Sequence, residues 1–222
     1  MTPFGPTGRK VEPYKFNPVI IITIWDAWSL LWAYVHRPSR RVAKKMTSEE
    51  QINYMIRSLE LLAKSLMIIQ PVQILRPSTV NVTFSPHQIL SNRKGTVIRC
   101  MFGASIRCIP PVNDQAAKSR VENMAALKCA SNASDAITSE KRRNCRHNLG
   151  NCAESVPFEA MRGNFQHLRK RVEPVVLYTH TLALPRKKDQ SELIAKAPCC
   201  KCTYIIEKML HNEAATILPY QP

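Results

Sequence analysis

Two short cysteine segments constrain this chain more than anything else in it. "NCAE" (Asn151–Glu154) and "PCCKC" (Pro198–Cys202) each open a stretch with helical apolar spacing, and the strand-type run "PVVLYTHTLAL" lies between them. Helix, strand and helix therefore follow one another. The first helix is expected from about Cys152, and the second from the "PCCKC" segment onward.

The spacing says what those termini would do. Cys199 and Cys202 are three apart at the start of a helix, so both sulfurs lie on one face and can reach a single ion. Pro198 suits the entry to a helix because it lacks an N–H that the first turn would leave unpaired. A helix N-terminus also favours negative charge and hence the thiolate that a metal requires. Cys152 repeats this logic on the other helix. Three thiolates around Zn²⁺ leave one tetrahedral position for water, as in a catalytic rather than a structural site. Glu154, beside the metal but not on it, could then take a proton from that water and return it to a nitrogen.

Other readings compete. Cys145 or His147 could fill the fourth position and close a purely structural zinc site. A thioredoxin-like redox pair is a further alternative, although it leaves Cys152 and Glu154 unexplained. Asn151 could orient a substrate or simply cap the helix. Cys100, Cys108 and Cys129 read as small core residues, and His167 and His180 as ordinary hydrogen-bonding side chains.

Cys-Ala-Glu on one helix, a strand, and then Pro-Cys-x-x-Cys opening the next helix resembles the zinc-dependent cytidine deaminase-like superfamily. "LGNCAE" is similar to the corresponding segment of the free-nucleoside enzymes. The resemblance covers about residues 149–210, extending back to about 73 with the preceding hairpin. It implies zinc on Cys152, Cys199 and Cys202, and Glu154 as the proton shuttle. It also implies that Ala153 and Cys200 lie near the base and the metal. The reaction implied is hydrolytic deamination at C4 of cytosine or C6 of adenine. The 44 residues between Glu154 and Cys199 imply inserted loops. The ribose-binding Asn and Glu of the nucleoside enzymes are not legible on the preceding strand.

Composition bears on the substrate. The 222 residues carry 32 Lys+Arg against 16 Asp+Glu, a net charge of +16. Such a field favours polyanions, and "EKRRNCR", "LRKR" and "PRKK" are the expected anion contacts, whereas solvated lysines on a basic protein are the plainer alternative. Single-stranded DNA or RNA is thus ranked ahead of a free nucleoside. A non-catalytic zinc module that binds nucleic acid or protein is the third reading. Eight cysteines at irregular spacing and no legible secretory signal point to reduced thiols inside the cell, in cytoplasm or nucleus.

The N-terminal third is read separately. Residues 1–18 form an irregular Pro-rich leader. The 17 residues from Val19 to Val35 are at the short limit for a membrane span, and Asp26 would be costly in lipid. A buried or partner-binding helix is therefore preferred to membrane contact. Thr47 and Glu50 form a capping box before Ile52, Met55, Ile56, Leu59, Leu62 and Leu66, and Pro71 ends that helix. A hairpin is expected over Val80–Phe102, a helix from about Asn113, and a short strand in "TILPYQP". The fold expected is α/β: a three-layer α/β/α deaminase-like domain with a mixed central sheet over 72–222, preceded by a leader and helical region over 1–71.

Overall fold

Two capping boxes set the helices of the N-terminal region. In the computed structural model, Thr23 and Asp26 exchange backbone and side-chain hydrogen bonds and start α1 (Ile24–Val35). A single turn, α2 (Arg40–Ala43), leads to α3 (Ser48–Ile69), where Thr47 and Glu50 make the same reciprocal pair. The structure describes residues 21–85, 99–106, 112–124, 127–128, 149–166, 175–185, 192–211 and 215–219. The leader, the Lys and Arg residues of the three basic runs, Cys108, Cys129, Cys145, His147 and His167 lie outside those residues.

The apolar run around the tryptophans is thus interrupted by its own cap. Asp26 is buried, and α1 is 12 residues long. Among the described residues, no helix is long and apolar enough to cross a membrane. Trp32 Nε1 donates to the Ser58 carbonyl at 3.0 Å, which ties α1 to α3.

Five strands make the sheet. β1 (Thr79–Ser85) and β2 (Arg99–Ala104) pair antiparallel, with Val80 opposite Ala104. β3 (Val175–Ala183) runs antiparallel along the other edge of β1, with Asn81 opposite Thr181. β4 (Ile194–Lys196) pairs antiparallel with the end of β3, and β5 (Ala215–Pro219) lies parallel to its beginning. The order is β2-β1-β3-β4, with β5 also beside β3. The remaining helices are α4 (Val112–Asn123), α5 (Ser155–Gln166) and α6 (Cys200–His211). The fold is therefore mixed α/β. β4 falls within what reads in sequence as a basic connection, because three exposed residues carry little hydrophobic signal.

The apolar stripe of α3, through Met55, Leu59, Leu62 and Leu66, shares one cluster with Val80, Val82 and Phe84 of β1 and with Phe102 and Leu182. Each such side chain contributes roughly 1.5–3 kcal/mol by leaving water. The alternating polar residues of β1 are buried as well. Asn81 Nδ2 donates to Thr179 Oγ1 at 2.8 Å and Thr181 Oγ1 at 2.9 Å, and Thr83 Oγ1 donates to Asn81 Oδ1 at 3.0 Å. Their hydrogen-bonding needs are met across the β1–β3 pair, so this face of the sheet can be covered without orphaned groups.

Candidate metal centre

Cys152 and Glu154 precede α5 rather than sit inside it. Residues 152–154 form a turn, and the Glu154 carbonyl accepts the first helical bond, from Phe158 N at 2.9 Å. The expected helix start thus shifts three residues along the chain, a displacement close to the usual ambiguity of helix ends. Gly103 of β2 makes room for the turn. A Cβ there would lie 2.1 Å from the Ala153 carbonyl oxygen and 2.5 Å from Pro157 Cδ. Gly150, at φ +93°, adopts the left-handed conformation that glycine tolerates, just before the turn.

Cys199 sits at the cap of α6, where its carbonyl accepts from Thr203 N at 2.8 Å. Cys202 is buried in the first turn. The sulfurs of Cys152, Cys199 and Cys202 all lie within 4.8 Å of one another, and those of Cys152 and Cys199 are 3.4 Å apart. A tetrahedral zinc with Zn–S of about 2.3 Å separates its sulfurs by about 3.8 Å. The three thiols present therefore fit such an ion in number, chemistry and spacing. They are the one such group among the described residues.

The electrostatics of the cluster favour a cation. Negative charge gathers on Cys199, whose pKa is held far below the usual thiol range by hydrogen bonds from Cys152 and Cys202 and then by the backbone N–H groups of Cys202 and Lys201. Cys152 is raised, first by the proton it shares with Cys199, and Cys202 is raised by its bonds to Cys152 and Cys199. Three sulfurs thus share their protons at a helix N-terminus, and a divalent ion would replace those protons.

Glu154 is buried beside them. Thr181 Oγ1 donates to its Oε1 at 2.9 Å, and Asn81 in turn donates to Thr181. Burial raises the Glu154 carboxyl above its ordinary value, and the negative Cys199 adds to that. The hydrogen bonds from its own backbone, Thr181 and Cys202 oppose the rise.

A cavity of about 280 Å³ opens at this point, lined by Asn151, Cys152, Glu154, Thr181, Lys196 and Cys199. Ser78, Thr79 and Ser105 add hydroxyl groups to its wall. Asn151 does not cap α5: its Oδ1 is buried without a hydrogen-bond partner among the described residues, while its backbone carbonyl accepts from Ile106 N at 3.0 Å. Ala153, Cys200 and Cys202 are not among the cavity's lining residues. Ala153 packs its backbone on Gly103 instead. Cys200 is disulfide-bonded, so the expectation of reduced thiols does not extend to it.

Thr181, Asn81 and Gly103 are missed by reading motifs alone. Their signal was the alternation in "TVNVTF" and "YTHTLAL", which aligns Asn81 with Thr181 once the two strands are paired.

Comparison with family models, with curated proteins and with solved structures gave no match.

Proposed function

We propose that this chain is a zinc-dependent hydrolytic deaminase of the cytidine deaminase-like type, acting on cytosine in single-stranded nucleic acid. The observation that carries the reading is the meeting of a three-sulfur cluster and a buried carboxylate at one cavity. In this reading the helices and sheet form the three-layer α/β/α arrangement of that superfamily, with α5 and α6 side by side, in a protein of the cytoplasm or nucleus.

Cys152, Cys199 and Cys202 would hold zinc, which supplies Lewis-acid activation of water. The rest of the chemistry belongs to the chain. Glu154 accepts a proton from the attacking water and passes it to the ring nitrogen next to C4, then carries a second proton to the amino group. A C4–O bond forms, the C4–N bond breaks, and ammonia leaves. Thr181 keeps Oε1 of Glu154 fixed by its hydroxyl proton. Asn151 Oδ1 offers an acceptor to an N–H of the bound base.

The net charge of +16 favours a polymer substrate, whose extruded base would enter the cavity. Free cytidine is the second reading, favoured by the modest cavity volume of about 280 Å³. The test is mass-spectrometric detection of deamination by the wild type and by Glu154→Gln, with cytidine, adenosine and single-stranded DNA and RNA oligonucleotides offered separately. Conversion by the wild type alone supports the proposal and identifies the substrate. Zinc bound by both proteins with no conversion of anything points to a structural-zinc or binding module instead.

A further inference from the structure

Asp26, on α1, and Arg120, on α4, form an ion pair whose side chains have no solvent exposure. Neither residue belongs to the cavity, and neither is near the other in sequence. Arg120 uses both terminal nitrogens. Nη2 reaches Asp26 Oδ1 and the Ala104 carbonyl, the latter at 3.1 Å, while Nη1 donates to the carbonyls of Gly150 at 2.9 Å and Cys152 at 3.3 Å. The other Asp26 oxygen caps α1 by accepting from Ile22 N at 3.1 Å and Thr23 N at 3.0 Å.

One guanidinium thus gathers the end of β2, the start of α1 and the loop that presents Cys152. Burying such a pair is costly, and packed apolar residues often serve stability equally well. What apolar residues cannot do is hold two carbonyls of one loop at fixed positions, which a planar fork of five donors can. Gly150 and Cys152 turn their carbonyls toward Arg120 while the Cys152 sulfur meets Cys199. The intervening Asn151 carbonyl is held by Ile106 N, so all three consecutive carbonyls are fixed.

We propose that Asp26 and Arg120 are positioning residues of the metal-binding loop, which fix Cys152, and through it Glu154, so that metal affinity is coupled to the docking of α1. The inference rests on the reading that the three cysteines bind a metal. Outer-sphere groups that orient ligands typically change metal affinity by roughly 10- to 100-fold when lost.

The test uses the full chain, stripped of metal and titrated with Co²⁺ against a competing chelator. Arg120→Lys keeps the charge but lacks the fork, and the pair Asp26→Asn with Arg120→Met removes both charges together. Folded variants are expected to bind Co²⁺ roughly 10- to 100-fold more weakly and with altered visible and sulfur-to-cobalt bands. Wild-type affinity and spectrum in folded variants would overturn the proposal. Hydrogen exchange on the wild type with and without Zn²⁺ needs no variant. Zinc is expected to slow exchange in residues 24–35 as well as in 149–154, and protection confined to the cysteine loops would overturn the coupling. A wild type that binds neither metal overturns the metal reading itself, which distinguishes that failure from failure of the pair alone.

Discussion

Replacing Gly103 with alanine probes the site from behind. The new Cβ would lie 2.1 Å from the Ala153 carbonyl oxygen, about 1.3 Å short of the 3.4 Å at which ordinary contact begins, and 2.5 and 2.8 Å from two Pro157 ring carbons. Backbone and a proline ring leave no flexible side-chain end to swing aside. Either β2 or residues 153–157 must move by about 1 Å, and overpacking of this kind costs roughly 1–3 kcal/mol. Ala153 lies between Cys152 and Glu154, so the displacement falls on the proposed metal ligand and the proposed proton carrier together. Metal sites tolerate ligand distances only within about 0.2 Å. Gly103→Ala is therefore expected to lower the urea midpoint and to weaken zinc binding at least tenfold in chelator competition, where tenfold is about 1.4 kcal/mol. A variant with the wild-type midpoint and zinc affinity would refute the close packing of β2 on the cysteine turn.

Three further perturbations test the supporting structure. Thr181→Val removes the hydroxyl that bonds both Glu154 and Asn81, and is expected to cost about 1–3 kcal/mol in urea unfolding; an unchanged midpoint would speak against the buried polar network. Thr47→Ala breaks the cap of α3, with an expected loss of about 1 kcal/mol and a fall in Tm of roughly 2–4 °C; a Tm equal to wild type would mean that the capping box adds nothing. Cys100 is buried in β2 with its pKa pushed up to about 12 by burial, so at pH 8 about one thiol in 10⁴ is ionised. Iodoacetamide should spare it in the folded protein and label it after denaturation, and rapid labelling of the native state by peptide mapping would contradict the burial.

Local chemistry was readable in the sequence where local rules decide it. Thr47 and Glu50 sit at the one spacing at which each can satisfy the other's backbone, and α3 begins where they indicate. Cys152, Cys199 and Cys202 could be chosen because helix termini and thiol spacing restrict where sulfurs converge, and their sulfurs do meet. Long-range geometry was not readable. Asp26 reads as a misplaced charge in an apolar run, and only its pairing with Arg120, 94 positions away, explains its burial. Gly103 carries no turn signal, because it is needed for a backbone approach from a segment 50 residues further on. Thr181 looks like any strand threonine until pairing with β1 sets it beside Asn81 and under Glu154.

The central claim is that Cys152, Cys199 and Cys202 hold one zinc ion with a position left open. Zinc K-edge absorption on the purified full chain, with metal content measured per chain, tests it most directly. The expected result is one zinc, with three sulfurs at about 2.3 Å and one lighter atom, lost when any of the three cysteines is changed to serine and retained in Cys100→Ser. Four sulfurs around the metal, or zinc that survives loss of Cys199, would contradict it.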